Sequence, residues 1–242
     1  MERPFVGLDN FTTALTDPAF RRAMLNVVIF IAINVPLTVL VGLVLATALN
    51  AAIPFRTFFR ASYFVPYVTA SVAVIGVWLW LFNSGGLVNA ILGPVAPDPS
   101  WLVNSFWAMP IIALFATWKR LGLYVLLYLA ALQNIPEELY EAAEVDGAGP
   151  VKRFTAVTVP GVRPTTTLVV IAATITGANF FTEPYLLTGR GGPAGASVSP
   201  VLLMYTQGIE QGKAGYAAAI GILLARGVMV ISLVNRVLLE RS

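Results

Sequence analysis

Long charge-free apolar stretches alternate with short polar ones along this chain. No charged residue falls between Arg22 and Arg56, and none between Arg60 and Asp98. A helix needs about 20 mainly apolar residues to cross a bilayer, so the pattern predicts spans over 24–49 and 62–82. Asn50, Pro54 and Arg56 close the first, and Asn83-Ser84-Gly85-Gly86 closes the second. Three more follow over 106–131, 164–182 and 215–238; the third carries Lys119-Arg120 in its interior and the last carries Arg226. An odd number of spans leaves the termini on opposite sides. The first span is not a signal peptide. It is too long, and residues 1–22 before it are polar and of mixed charge instead of a short basic lead. The stretches outside the spans, 1–22, 83–105, 132–163 and 184–213, hold no repeat and no low-complexity tract.

Composition strengthens this picture. Of 242 residues, 57% are hydrophobic and 11% charged, and the mean hydropathy is +0.79. Soluble domains carry about 25% charged and about 45–50% apolar residues, and a single core cannot hide this much apolar surface from water. A soluble enzyme, a disordered chain and a nucleic-acid-binding domain are all disfavoured. The net charge of +3 says little about an anionic partner. With no Cys and no His, disulfides, thiol nucleophiles, Cys/His metal sites and histidine relays are excluded. The expected fold is all-α, a polytopic membrane helical bundle of about five spans forming a single transmembrane domain over 1–242.

Lys and Arg in short loops set orientation. Arg56, Arg60, Lys152, Arg153, Arg163, Arg236 and Arg241 fall on one side, against Arg3, Arg21, Arg22, Arg190 and Lys213 on the other. The slight majority places loops 50–61 and 132–163 and the C-terminus in the cytoplasm.

Residues 132–163 differ from the rest. Glu137, Glu138, Glu141, Glu144 and Asp146 crowd into ten positions. Asn134 is a candidate helix cap, Pro136 suits a first helical turn, and the two glutamates after it favour the positive N-terminal end. Leu139, Ala142 and Ala143 then share a face. Gly147 suits a left-handed helix end, and Pro150 opens a second short helix that contains Phe154. Small alanines would let this helix approach a partner's groove closely, with Glu141 pairing to basic groups there. A well-capped interfacial helix on a loop would satisfy the same composition.

Spacing separates the two readings. Glu141-Ala142-Ala143, then Gly147, then Val157 and Val159-Pro160 resembles the EAA loop of ABC-importer permeases, with valines where the family has Ile and Leu. Phe5-Val6-Gly7-Leu8-Asp9-Asn10-Phe11, Asn26, Arg56-Thr57-Phe58-Phe59-Arg60, Trp118 with Gly122, Leu186-Leu187-Thr188-Gly189, Gly192-Pro193 and Gly215-Tyr216-Ala217-Ala218-Ala219 extend the resemblance over nearly the whole chain. The chain looks like a membrane subunit of binding-protein-dependent importers for sugars, polyols or glycerol phosphate, in the maltose-transporter superfamily. Such subunits usually have another helix before the segment that starts here at residue 5. A truncation, a misassigned start and a five-span subunit are the three alternatives. Arg190 stands where many relatives have Gly.

The resemblance implies a complex with two ATPase subunits, a second permease subunit and an extracytoplasmic solute-binding protein, set in the lipid bilayer of the plasma (inner) membrane, with no nucleic acid. The chain lacks a Walker loop, so ATP and Mg belong to the partner ATPase and this subunit binds no cofactor or metal and catalyses nothing itself. By the same analogy Glu141, Ala142, Ala143, Asp146, Gly147, Phe154 and Pro160 form the ATPase-coupling loop.

Asn179, Phe180, Phe181, Glu183 and Tyr185 cluster at the end of the fourth span and are substrate-path candidates, since aromatic faces and amides suit a hydroxylated solute. Trp78 and Trp80 read as packing or interface aromatics, and Pro36 and Gly177 as points where a helix bends. Lys119, Arg120 and Arg226 are candidates for the pathway or a subunit interface, against the plainer reading that they snorkel or lie near the membrane surface. A secondary transporter would show acidic residues in mid-span, and none is placed there. A truncated permease fragment without transport activity is the other alternative.

Overall fold

The computed structural model describes residues 5–51 and 55–241. Arg3 and Pro54 lie outside the described residues. Among those described, every regular element is helical. The order is α1 (Asp9–Thr16), α2 (Pro18–Asn50), α3 (Arg56–Val68), α4 (Ser71–Leu81), α5 (Leu87–Leu92), α6 (Ala108–Leu132), α7 (Glu137–Val145), α8 (Pro150–Arg153), α9 (Val159–Gly161), α10 (Arg163–Ala178), α11 (Thr182–Leu186), α12 (Pro200–Tyr205) and α13 (Ala214–Arg241).

Among the described residues, Pro18–Asn50, Ala108–Leu132, Arg163–Leu186 and Ala214–Val237 are long and apolar enough to cross a membrane. Thr57–Val68 and Ser71–Leu81 make a fifth if taken together. Four of the five spans read from the sequence are therefore present as continuous helices, and the second needs a correction. The span expected as continuous over 62–82 is broken, because Thr69 and Ala70 take extended ψ angles of 144° and 125°. Pro66 inside α3 has no N–H to donate and crowds the preceding turn, which weakens the helix shortly before it ends.

That break explains a mid-span charge. Lys119, 8% exposed, donates from Nζ to the carbonyls of Pro66 (2.8 Å), Tyr67 (3.2 Å) and Thr69 (2.6 Å). These oxygens belong to the end of a helix, where carbonyls run out of backbone donors. Gly122, one turn further along the same face of α6, permits the close approach. A Cβ there would run into the Tyr63 carbonyl and come within 2.8 Å of Phe64 Cα. Of the other two charges, Arg120 is half-buried and Arg226 is exposed.

The chain divides into two compact units. The first takes the chain up to Asn34, Ala70–Ala116 and Thr174–Ser232. Its core is aromatic: Phe30 stacks on Phe180 at 4.4 Å, and Trp78 stacks on Phe82 and meets the edge of Phe115, both at 5.2 Å. Ile75, Ile112, Leu224 and Val228 fill around them. Trp78 is thus a packing residue, while Trp80 is 63% exposed. Buried Asn26 donates to the carbonyls of Gly195 and Val198, both at 2.9 Å, and ties α2 to the connection before α12.

The second unit takes Val35–Thr69, Thr117–Ala173 and the chain from Leu233. Buried Tyr124, Tyr128, Leu129, Leu132, Val162 and Val169 make its interior, and the Tyr128 hydroxyl donates to Thr166 Oγ1 at 3.2 Å. Large apolar side chains such as Leu40, Val72, Ile222 and Val230 are more than half exposed. In water such faces invite aggregation; against lipid they are matched.

Candidate functional site

The connection after α6 opens where that helix runs out of donors. Asn134 does not cap α7, as its position suggested. Its Nδ2 reaches back to the Ala130 carbonyl at 2.9 Å and closes α6 instead. Pro136, expected inside the first turn, occupies the N-cap itself, with an extended ψ of 135° and no side-chain cap. Glu137 and Glu138 fill the first turn, where the helix dipole favours anions.

The far end of α7 is capped by backbone hydrogen bonds. Gly147, at φ +73°, is in the left-handed region. Its N–H bonds the Glu144 carbonyl, and the Ala148 N–H bonds the Ala143 carbonyl, both at 2.9 Å. These are the paired bonds of a Schellman ending, and buried Ala148 tucks under half-buried Ala143. The chain then turns into α8, with Pro150 at its start. Phe154–Thr158 follows as a π-turn. Pro160 cannot donate to the carbonyl four residues back, and its ring crowds that oxygen, which accounts for the wider turn just before it.

Two side-chain clamps set the angle of α7. Tyr140 Oη and Thr158 Oγ1 share a hydrogen bond of 3.0 Å, and the Arg153 guanidinium meets the Glu144 carboxylate at 2.8 Å. With Tyr140 and Ala143 turned inward, Leu139, Glu141, Ala142, Val145 and Asp146 are exposed. Val145 is 88% exposed and Val151, on α8, is 78% exposed. The expected face of Leu139, Ala142 and Ala143 is therefore split, because Ala143 serves the bend. Phe154 is half-buried, and Pro160 is exposed.

The second group lies after α10, which unwinds at Asn179–Phe181 before α11. Asn179 is exposed and donates to the Ile175 carbonyl at 2.7 Å. Phe180 does not join the others. It is 1% exposed, packed in the core on Phe30. Glu183 is buried in the first turn of α11. Phe181 stacks on Tyr185 at 5.3 Å, and Tyr205 from α12 packs on both, at 5.3 and 5.7 Å.

Arg190 closes this cluster. Its Cζ lies 5.5 Å from the Tyr185 ring centroid, and Nη1 meets Glu210 Oε1 at 3.1 Å. The cost is backbone strain, since Arg190 has φ +72°. The neighbouring Tyr185, burial and the Glu210 carboxylate raise the Tyr205 pKa against the lowering pull of Arg190, so its hydroxyl stays a neutral donor and acceptor. Tyr205 and Glu210 were missed from the sequence. They join through contacts some twenty residues away in the chain, which no local spacing marks. Among the described residues, no three acidic side chains gather into a metal-binding group.

Comparison with known proteins gives the geometry a family. Residues 18–241 match the family described as "Binding-protein-dependent transport system inner membrane component", a match that runs through both units. The chain is 35% identical over 238 residues to the arabinooligosaccharides transport system permease protein AraP of Bacillus subtilis, covering 97% of this chain and 76% of that protein. It is 36% identical over 224 residues to the trehalose/maltose transport system permease protein MalF of Thermococcus litoralis, covering 92% and 75%. Among solved structures, it is similar to a chain of a bacterial alginate ABC transporter in complex with an alginate pentasaccharide-bound periplasmic protein. There the TM-score is 0.75 and the identity 25%, over 95% of this chain and 81% of that one.

Proposed function

The chain belongs to the binding-protein-dependent transport system inner membrane components, and from that premise we propose that it is the sugar-type permease subunit whose α7–α8 loop receives the stroke of an ATPase. Family membership makes it a multi-pass membrane subunit of a transporter and not an enzyme. The relatives named above are permeases for arabinooligosaccharides and for trehalose/maltose, which favours a saccharide or similar polyhydroxylated solute here. A solute-binding protein delivers it, as the family description implies. Two ATPase subunits and a second permease complete the complex, and ATP and Mg stay on the ATPases.

One observation carries this reading. A helix closed by a Schellman ending at Gly147 is clamped through Tyr140–Thr158 and Glu144–Arg153, and it turns Glu141, Ala142 and Val145 outward. A helix braced at both ends moves as a rigid lever, whereas a loose loop would absorb an applied displacement. Charged Glu141 and Asp146 beside small Ala142 suit a basic-rimmed groove on a partner. The loop is cytoplasmic in this reading, since that is where ATP is hydrolysed, and the C-terminus lies on the same side. At the other connection Phe181, Tyr185 and Tyr205 offer aromatic faces to a sugar ring, with Asn179 and Glu183 near them in the chain.

The test is assembly and coupling. The tagged chain, purified from native membranes, should bring an ATPase and a second permease with it. Ala142→Trp should leave membrane insertion intact and lower uptake about tenfold or more, as a bulky group at the centre of a small-residue contact does. Unchanged uptake in that variant overturns the docking assignment, and a folded chain that purifies alone overturns the importer reading.

A further inference from the structure

A lysine buried in the interior of an apolar span must find acceptors or lose its charge. Lys119 is nearly enclosed, and it is reached by three carbonyls from one short stretch, those of Pro66, Tyr67 and Thr69, within 2.6–3.2 Å. An ammonium has three N–H groups to give, and three oxygens stand ready to receive them. The end of a helix also concentrates negative potential. Membrane transporters use the same arrangement, carbonyls at an interrupted helix, to hold mobile monovalent cations. Here the cation is part of the chain.

We propose that the carbonyls of Pro66, Tyr67 and Thr69 form a cradle for a monovalent ammonium-type cation, that Lys119 fills it from α6, and that Lys119 is thereby a positioning residue which holds the interrupted span in its working geometry. Three features of the sequence converge on this arrangement. Pro66 weakens α3 just before its end. Pro66, Tyr67, Thr69 and Lys119 all belong to the second unit, so the cradle is complete within it. Gly122 brings α6 against the backbone of Tyr63 and Phe64, close enough for a side chain one turn away to reach the helix end. A cavity of about 390 Å³ has Pro66 of the cradle and Trp118, the residue before Lys119, in its lining.

The chemistry predicts rescue. Lys119→Ala leaves three converging carbonyls and a space shaped like the lost side chain. Methylammonium carries the same N–H donors; tetramethylammonium carries the same charge and none. Two measurements on the assembled complex with Lys119→Ala are needed: the thermal unfolding midpoint, and solute uptake per ATP hydrolysed in proteoliposomes. Each is made with methylammonium chloride and with tetramethylammonium chloride.

The uptake measurement rests on the permease reading above; the unfolding midpoint does not. Expected are a lowered midpoint and a drop in uptake per ATP of about tenfold. Methylammonium should restore most of both and tetramethylammonium neither. Wild-type behaviour of Lys119→Ala, or a loss indifferent to the two salts, overturns the cradle. Should Lys119→Ala fail to assemble, Lys119→Arg decides. A guanidinium keeps charge and donors, so the complex must then form with reduced uptake, and its failure also counts against the proposal. Wild-type complex that transports nothing would sink the permease reading while leaving the salt-dependent midpoint as the test of the cradle.

Discussion

From Ile135 to Val162 the chain keeps its shape through contacts of short reach. The Ala143–Ala148 bond spans five positions, the Glu144–Arg153 pair nine and the Tyr140–Thr158 bond 18. From Asn179 to Lys213 the reach is longer. Arg190 pairs with Glu210 across 20 positions, and Asn26 holds the Gly195 and Val198 carbonyls across 169 and 172. Asp17 accepts from the Tyr216 hydroxyl just beyond, across 199. A short-reach structure forms with little loop-closure entropy and can work as a self-contained piece. The long-reach one exists only when the rest of its unit is in place. The docking lever and the solute contact proposed for these two connections place different demands on a protein, and their difference in reach fits those demands.

The largest effect separates neighbours within the second connection. Phe180→Ala empties a core position stacked on Phe30 and should cost about 3 kcal/mol or more of stability. Phe181→Ala removes a half-buried ring and should cost much less, while solute uptake falls with the stacking surface. Unfolding midpoints and uptake on the two variants check this. Equal destabilisation would erase the distinction drawn between core and platform, and unimpaired uptake in Phe181→Ala would remove that ring from the solute path.

Next comes Gly147→Pro in the first connection. Proline cannot reach φ +73° and has no N–H for the Glu144 carbonyl, so the Schellman ending is lost at a local cost of about 3 kcal/mol. Because the contacts there are short in reach, the damage should stay in the loop. Membrane insertion and the global unfolding midpoint should hold while uptake disappears. A global loss of stability would show that the loop is not the self-contained piece described.

The same difference decides what could be read from sequence. Gly147 and Pro150 announce a helix end and a helix start by their own backbone chemistry, and the structure uses both as such. The spans were legible because apolar length is a local property; their interruption was less so. Pro66 was visible, yet prolines inside membrane helices are often tolerated, as Pro36 within α2 shows. What distinguishes Pro66 is that α3 ends just after it and that its carbonyl meets Lys119, some fifty positions away. Asn134 misled because a side chain between two helices can serve either, and only geometry showed that it closes the first. Phe180 and Phe181 are indistinguishable by type, and the partner that decides, Phe30, is remote. Tyr205 and Glu210 carried no signal for the same reason.

The smallest effect concerns Arg190, and it tests whether the second connection is held by its contacts or merely decorated by them. A left-handed φ costs a non-glycine residue about 1 kcal/mol. The exposed pair with Glu210 returns about 0–1 kcal/mol, and the guanidinium over Tyr185 about 0.5–1 kcal/mol. These nearly cancel, so Arg190→Gly, which drops strain and contacts together, should leave the unfolding midpoint almost unchanged. Arg190→Ala keeps the strain and loses the contacts, and should be the less stable of the two by about 1 kcal/mol. Salt adds a further check, because the ion pair is more than half exposed on its arginine side. Raising ionic strength screens it, so wild type should lose stability relative to Arg190→Gly as salt rises. If the two variants melt together, the positive φ stores no strain. If Arg190→Gly is as unstable as Arg190→Ala or worse, the long-reach contacts hold more of the connection than their exposed geometry allows, and the contrast with the self-contained loop sharpens further.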